Sequence, residues 1–183
     1  MKILALNGSP RKNGHSKALL KLFSKTAVEN GHEVDVFDSY QHNVKGCTAC
    51  GACKKSDHTL CAVQDDFQQL LDKIKDADCL IFASPVYFGT ISGELKCVLD
   101  RFYCFFSQQF GVRDIKGKKF ITMTVSGAPP ESFADVSEYL KHWFGDFCKM
   151  KCHGEVIAGG TSKGAISDQA AIEDHVQNLA KTL

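Results

Sequence analysis

Four cysteines between positions 47 and 61 are the residues whose types and spacing point most directly to chemistry. They form the pattern Cys-x2-Cys-x2-Cys-x7-Cys, made by Cys47, Cys50, Cys53 and Cys61. Steps of three residues place the thiolates around one compact loop, and Gly46 and Gly51 allow the backbone to turn there. The spacing is more typical of iron–sulfur ligation than of structural zinc, which usually takes two separated Cys-x2-Cys knuckles. Zinc, and a loop of free or disulfide-prone thiols, stay open as alternatives.

The segment from Asn7 to Ser16 has the composition of a loop that binds an anion. Its two glycines permit tight turns, the hydroxyls of Ser9 and Ser16 can form hydrogen bonds, and Arg11 adds positive charge. An amphipathic helix is predicted to begin here, and the N–H groups of a helix N-terminus attract phosphate. The segment is neither a Walker loop nor a Gly-x-Gly-x-x-Gly fingerprint, because its glycines are spaced differently. A plain turn with Ser16 as the helix cap is the alternative.

Two segments resemble the NADPH-dependent FMN reductase and flavodoxin-like superfamily. The first is Gly8–Ser16, and the second is Ser84–Lys96 together with Asp100 and Arg101. The resemblance implies FMN as the cofactor, with a phosphate bound by Ser9, Arg11, Asn13 and Ser16. It implies that the ribityl chain and the isoalloxazine edge contact Pro85, Val86, Tyr87, Phe88 and Gly89. Ser126 and Gly127 would lie against the flavin ring, although many relatives have Thr-Gly-Gly at this place. Core packing is the alternative for the two aromatic residues.

The cysteine run resembles that of the iron–sulfur flavoproteins, which carry it between the second strand and the second helix of the same fold. Asp65, Asp66 and Phe67, which follow the run, are also similar to that group. The resemblance implies that the four cysteines bind a 4Fe–4S cluster, which passes electrons to FMN. Relatives with a similar loop include plain NAD(P)H-dependent oxidoreductases, so the presence of the cluster stays open.

The elements that must position these segments alternate regularly along the chain. Apolar, β-rich runs predict strands at 2–7, 33–38, 79–84, 119–126 and 153–158. Amphipathic patterns predict helices at 15–30, 65–76, 93–104, 134–148 and 167–182. This alternation indicates an α/β fold whose mostly parallel sheet is covered on both faces. The resemblance implies a flavodoxin-like three-layer α/β/α sandwich with a five-stranded parallel sheet in the order 2-1-3-4-5. Ligands in such sheets bind beyond the carboxyl ends of the strands.

The bulk properties restrict the class of protein. The chain has 183 residues, of which 44% are apolar and 23% are charged, as in an ordinary globular protein. Residues 1–183 are therefore predicted to form one domain, with a Cys-rich loop at 46–62. A net charge of +1 gives no sign of nucleic acid binding, and no apolar run is long enough to span a membrane. Nine cysteines without a signal peptide indicate a cytoplasmic protein that is redox-active or binds metal.

Together these features predict an FMN-dependent enzyme with NAD(P)H as the cosubstrate and a small molecule as the acceptor. The predicted acceptor is a quinone, a nitro or azo compound, oxygen or a free flavin. No catalytic side chain is predicted, because the cofactor carries the chemistry. One alternative is an electron-transfer module that relays electrons between a ferredoxin-like donor and FMN. Another is a zinc-stabilised domain without a redox function.

Further expectations concern the aromatic residues and a glycine-rich segment. Tyr103, Phe105, Phe106 and Phe110 belong to an apolar cluster that predicts an interface. The resemblance implies a homodimer or homotetramer with FMN at the subunit boundary. Trp143 is predicted to lie in the core, and the segment 159–164 to be a flexible connection.

Overall fold

A computed structural model describes residues 1–183, with a parallel sheet at its centre. The strands are β1 (Lys2–Asn7), β2 (Glu33–Asp38), β3 (Cys79–Tyr87), β4 (Thr90–Ile91), β5 (Lys119–Val125) and β6 (Lys151–Ala158). The parallel strands follow the order β2-β1-β3-β5-β6, and the two-residue β4 pairs antiparallel with the end of β3. The predicted order 2-1-3-4-5 is therefore confirmed for the parallel strands, whereas β4 was not among the predicted ones.

Five α-helices cover the two faces of the sheet. They are α1 (His15–Glu29), α2 (Phe67–Asp76), α3 (Gly93–Asp100), α4 (Ala134–Lys141) and α5 (Gln169–Lys181). Beyond Asp100 the predicted helix at 93–104 continues as a 3-10 helix, and beyond Lys141 the one at 134–148 continues as a π-helix. The three-layer sandwich is thus confirmed, with α3 and α4 ending four and seven residues earlier than predicted. No helix combines the length and the apolar character that crossing a bilayer requires.

Alternate residues of the central strands point to opposite faces of the sheet and build two cores. In β1, Leu4 and Leu6 pack in the core beneath α2, α3 and α4, whereas Ile3 and Ala5 pack in the core beneath α1 and α5. All four side chains are buried. Because both faces are covered, the interior of these strands is largely apolar, which explains the nearly continuous apolar runs in the sequence.

The aromatic residues that follow α3 and α4 are divided between core and surface. Phe105 and Phe106 are buried, so only Tyr103 and Phe110 of the expected interface cluster are exposed. The core position expected for Trp143 is wrong, because 42% of its surface is exposed. Trp143 continues an exposed row that begins within α4 at Tyr139, which is 39% exposed, whereas the buried side of α4 is formed by Val136, Ser137 and Leu140. The next residue, Phe144, packs in the core in its place.

Candidate functional site

The loop after β1 lies at the carboxyl edge of the sheet and leads directly into α1. Asn7 organises its start: the side-chain Oδ1 accepts a hydrogen bond from the Ser9 N–H at 3.1 Å, and Nδ2 donates to Asp38 at 2.6 Å. Ser9 Oγ accepts a further bond from the N–H of Arg11 at 3.3 Å. Side-chain turns within the chain therefore fix the course of this loop.

No side chain caps the N-terminus of α1. Gly14 occupies the capping position, and Ser16 is the second residue of the helix, so the helix-cap alternative for Ser16 is wrong. The first turn holds no acidic side chain, and Arg11 and Asn13 lie exposed just before it. Uncapped N–H groups at the positive end of the helix dipole make this a suitable site for an anion such as a phosphate.

Gly8 brings this loop against the start of α3. A methyl group at Gly8 would lie 2.5 Å from Ser92 Oγ and 2.7 Å from Leu95 Cβ, closer than packed atoms approach. The Gly8 N–H donates to the Ala83 carbonyl of β3 at 2.8 Å. Ser92 in turn caps α3, because its Oγ accepts from the Leu95 N–H at 3.3 Å. Glycine is thus required at position 8 for close approach and not for a left-handed turn.

β3 extends beyond the sheet and turns back into β4 as a two-residue hairpin. Val86 and Tyr87 pair with β4, which leaves Phe88 and Gly89 as the turn. Their φ angles are 50° and 77°, as in a type I′ turn. This conformation is strained for phenylalanine, and the Phe88 ring is fully exposed. Because Tyr87 is exposed as well, the core alternative for these two residues is wrong.

The loop after β5 is bonded to the loop after β6. The side chains of Thr161 and Ser162 donate to the carbonyls of Ser126 and Gly127 at 2.9 and 2.7 Å. The Ser126 hydroxyl donates to the carbonyl two residues further on at 2.8 Å, so it closes its own turn. The segment 159–164 is therefore packed against the third candidate flavin loop and is not a free connection.

The four cysteines of the run surround one small cavity between their loop and the end of α3. The cavity has a volume of about 20 Å³, and its lining includes Cys47, Cys50, Cys53, Cys61, Arg101 and Cys104. Gly51 turns the loop with a φ of 70°, as expected, but the other left-handed residue is Ala49 and not Gly46. Cys104 comes from the 3-10 helix after α3, and burial raises its pKa to about 12. No spacing rule in the sequence predicts its place at this cavity.

Four thiols around one cavity match the donor type of an iron–sulfur cluster. No three His, Cys, Asp or Glu side chains are grouped closely enough to coordinate one ion. Four thiolates on one zinc ion lie about 3.8 Å apart, whereas in a 4Fe–4S cluster each thiolate binds a different iron atom. The cavity has room for about one water molecule. A 4Fe–4S cluster is larger than this cavity, whose lining includes the exposed residues Cys47 and Cys50.

Arg101 is a buried side chain that ties both ends of the cysteine loop to α3. Its guanidinium donates to the carbonyls of Lys45 and Val63, on either side of the loop, at 2.9 and 3.1 Å. It forms an ion pair with Asp65 at 2.7 Å, and its Nε donates to Cys61 Sγ at 3.1 Å. Arg101 is 1% exposed. Arg101, the last residue of the second sequence signature, thus holds the cysteine loop, a role that the sequence did not reveal, whereas Asp100 pairs with Lys96.

Burial and hydrogen bonding compete at this ion pair. Burial raises the pKa of Asp65, but donors from Arg101, Lys45 and Phe67 outweigh it, so the pKa lies below its usual value. Burial likewise lowers the pKa of Arg101, but Asp65 and Cys61 outweigh it and the pKa is raised. Both partners are therefore charged, and removal of either one leaves a buried, unpaired charge.

Two further cations hold the outer part of the loop. Lys54 donates to two backbone carbonyls after α3, both at 2.7 Å, and lies 3.6 Å above the centre of the Tyr103 ring. Burial lowers the pKa of Lys54. Arg113 donates to the carbonyls of Ser56 and His58 at 2.8 and 3.1 Å. A segment with little regular structure is thus fixed along its length by charged side chains.

Comparison with known proteins identifies the family of this chain. Residues 1–164 match the family described as NADPH-dependent FMN reductase. The chain belongs to this family. It is therefore a member of an FMN-binding family of flavin oxidoreductases, as the two sequence signatures predicted.

Several relatives of this FMN reductase family member are iron–sulfur flavoproteins. That of Methanosarcina thermophila is 30% identical over 185 residues, which cover 100% of this chain and 91% of that protein. One from Archaeoglobus fulgidus is 36% identical over 101 residues, which cover 55% of this chain and 48% of that protein, so about half of that relative is matched. Among solved structures, NAD(P)H:quinone oxidoreductase from Methanothermobacter marburgensis has a TM-score of 0.78 and 20% identity, covering 99% of this chain and 96% of that one. At this identity the likeness shows the flavodoxin-like fold alone.

The residues that the sequence predicts as FMN ligands lie on three segments at the carboxyl edge of the sheet. The first segment, the loop after β1 with the first turn of α1, holds Ser9, Arg11, Asn13 and Ser16. The hairpin holds Pro85, Val86, Tyr87, Phe88 and Gly89, and the loop after β5 holds Ser126 and Gly127. α3 begins beside the first loop and ends near the cysteine cavity eight residues later, about 12 Å along its axis. The two candidate cofactor sites thus lie at opposite ends of one helix.

Proposed function

We propose that this protein is an FMN-dependent oxidoreductase that transfers electrons from NAD(P)H to a small acceptor. The observation that carries the proposal is an uncapped helix N-terminus and an exposed aromatic hairpin at the same carboxyl edge of the sheet, in a chain of the FMN reductase family. FMN has an anionic phosphate at one end and a large, largely apolar ring system at the other. The two features therefore suit the two ends of the same ligand.

In this proposal the chain binds and orients the cofactor and supplies no acid or base. The phosphate contacts Ser9, Arg11, Asn13 and Ser16, with N–H groups of α1 as further donors. The ribityl chain and ring contact the hairpin 85–89 and the loop at Ser126 and Gly127. Bound FMN supplies the hydride and electron transfer. Acceptors that suit this chemistry are quinones, nitro and azo compounds, free flavin and oxygen.

The first test measures the affinity of flavin-free protein for FMN by quenching of flavin fluorescence. We expect saturable binding, together with oxidation of NADH or NADPH that depends on FMN and on an added quinone. Ser16→Ala should weaken FMN binding about tenfold, because a hydrogen bond to a charged phosphate is lost. Ser24→Ala, on the same helix, removes only a bond to the Leu20 carbonyl and is the matched control. Protein that binds no FMN would overturn the proposal.

A second candidate function is that of an iron–sulfur flavoprotein, in which a 4Fe–4S cluster relays electrons between a ferredoxin-like donor and FMN. Four thiols around one cavity favour it, as does the charged donor Arg101 at Cys61. The similarity to iron–sulfur flavoproteins is a further support. A zinc-stabilised domain has less support, because structural zinc usually takes two separated Cys-x2-Cys knuckles and this chain has a single run of cysteines.

These candidates are separated by a measurement of the amounts of iron, acid-labile sulfide and FMN per chain, after purification without oxygen. About four irons together with FMN would support the iron–sulfur function. Slow NAD(P)H oxidation in the same sample would favour another protein as the electron donor. FMN without iron would support the oxidoreductase alone, with the cysteines as a loop of thiols. Zinc without FMN would contradict both candidates.

A further inference from the structure

Arg101 is the one charged side chain that donates a hydrogen bond to a sulfur of the cysteine loop. Its Nε lies 3.1 Å from Cys61 Sγ, and its guanidinium is buried. On the other side, the buried carboxylate of Asp65 lies 2.7 Å from Nη1. The positive charge of Arg101 is therefore shared between a sulfur and a carboxylate, away from water.

A hydrogen bond to a ligand sulfur affects the two oxidation states of an iron–sulfur cluster unequally. The reduced cluster carries one more negative charge, so a cationic donor stabilises it more than it stabilises the oxidised cluster. Burial strengthens this difference, because little water screens it. A nearby carboxylate acts in the opposite direction, because its negative charge disfavours the added electron.

We infer that Arg101 raises the midpoint potential of a 4Fe–4S cluster through its bond to Cys61, and that Asp65 limits this effect. The inference rests on the iron–sulfur function proposed above. Arg101 is a positioning residue here, because it contacts a cluster ligand and neither iron nor FMN. Since its guanidinium also holds both ends of the loop, the test separates an electrostatic role from a structural one.

The test is a redox titration of the cluster with dithionite, followed by EPR, in FMN-loaded protein purified without oxygen. Arg101→Lys keeps a charge beside Asp65 and removes the planar donor. We expect it to shift the one-electron equilibrium about tenfold toward the oxidised cluster, which is a midpoint lower by about 59 mV. Asp65→Asn keeps the shape of the side chain and removes its charge, so we expect a higher midpoint.

Arg113→Lys is the matched control for loop attachment. Arg113 holds the same loop at Ser56 and His58, and it bonds to no sulfur. Its replacement should therefore leave the midpoint at the wild-type value. Shifts of opposite sign in Arg101→Lys and Asp65→Asn, with no shift in this control, support the inference.

A purely structural role predicts a different result. It would loosen the loop in both variants and move both midpoints in the same direction, which would overturn the inference. An unchanged midpoint in Arg101→Lys would overturn it as well. If Arg101→Lys does not retain the cluster, the sign of the shift in Asp65→Asn decides. Wild-type protein that binds FMN but no iron would overturn the iron–sulfur function itself, and this inference with it.

Discussion

At the scale of single residues, Phe88 has a conformational cost that no contact within the chain offsets. Its φ of 50° is unfavourable for a residue with a side chain, and its ring gains nothing from the core. Strained residues of this kind cluster at sites that bind ligands. Phe110 has a similar φ of 59° and is also exposed, but it lies beside Tyr103, at a turn that follows α3. Phe110 therefore serves as the control for Phe88, because the two residues have similar φ angles and exposed rings but lie in different segments.

We expect Phe88→Gly to raise the free energy of unfolding of the flavin-free protein by about 0.5–1 kcal/mol, because glycine adopts this φ without strain. The same change should weaken FMN binding about tenfold, because a ring contact is lost. Phe110→Gly should also stabilise the protein and leave FMN affinity unchanged. Urea unfolding and flavin fluorescence titration measure the two quantities. Equal FMN affinity in Phe88→Gly and wild type would contradict the role given to the hairpin.

At the scale of elements, α3 is held at both ends by residues outside it. At its start, Gly8 lies against Ser92 and Leu95. Just past its end, Arg101 is bonded to Asp65 and to the ends of the cysteine loop. The helix therefore links the phosphate loop, which contacts its start, to the cysteine cavity, which lies at its end.

Gly8→Ala should lower the free energy of unfolding by about 1–3 kcal/mol, because the added methyl group overlaps Ser92 and Leu95. It should also weaken FMN binding, since relief of the overlap moves the phosphate loop away from α3. Gly93→Ala, in the first turn of α3, is the control, because no atom lies within 4 Å of the added group. Urea unfolding of both variants tests this prediction, and equal stability of the two would show that α3 adjusts freely.

α4 is bonded to the sheet through a chain of polar groups. The buried Ser137 hydroxyl lies 2.8 Å from Thr122 Oγ1 and donates to Glu155 at 2.7 Å, and Lys141 donates to the same carboxylate at 3.0 Å. Burial raises the pKa of Glu155, but Ser137 and Lys141 outweigh it, so the pKa lies below its usual value. The carboxylate is therefore more stable in the folded protein than in the unfolded chain.

This pKa shift predicts a pH dependence of stability. The folded pKa of Glu155 lies below the unfolded value of about 4.3. The contribution of Glu155 to the free energy of unfolding is therefore complete above that value, and it is lost as the pH falls through the folded pKa. Glu155→Gln should lower the free energy of unfolding by about 1 kcal/mol near neutral pH, a small figure because water screens this partly exposed group. The loss should shrink in acid. Glu138→Gln removes only an exposed partner of Lys141 and is the control. A loss independent of pH would contradict the prediction.

At the scale of the whole molecule, one face presents exposed aromatic side chains. Tyr103, Trp143 and Phe147 help to line a groove of about 290 Å³ beside α4. Each is about two-fifths exposed, and exposed apolar surface of this kind marks interaction sites. A homodimer or homotetramer stays our prediction, with the contact at these residues instead of the buried Phe105 and Phe106.

Trp143→Glu should convert the assembly into monomers at micromolar concentration, because it places a charge in an apolar contact. Tyr40→Glu, an exposed aromatic position just after β2, is the control and should leave the assembly unchanged. Sedimentation velocity measures both variants. Wild-type protein that sediments as a monomer would contradict the predicted assembly.

The sequence by itself determined the order of the main elements and the segments that carry the candidate sites. Buried parallel strands and amphipathic helices leave patterns that depend only on local periodicity, so all five parallel strands and all five helices were found, although α3 and α4 end earlier than predicted. The four cysteines share one loop for the same reason, since their spacing is local. The shared signatures of the FMN reductase family added the strand order, which periodicity does not contain.

Only the tertiary structure decided which distant residues meet. Arg101 is 40 residues from Cys61 along the chain and yet bonds to its sulfur, and Cys104 joins the same cavity. The exposure of Phe88 follows from the pairing of β3 with β4, and that of Trp143 from the side on which α4 packs against the core. These outcomes depend on long-range packing and on the φ angles that packing imposes. Neither leaves a periodic trace in the sequence, because each arises from contacts between segments that are distant from one another along the chain.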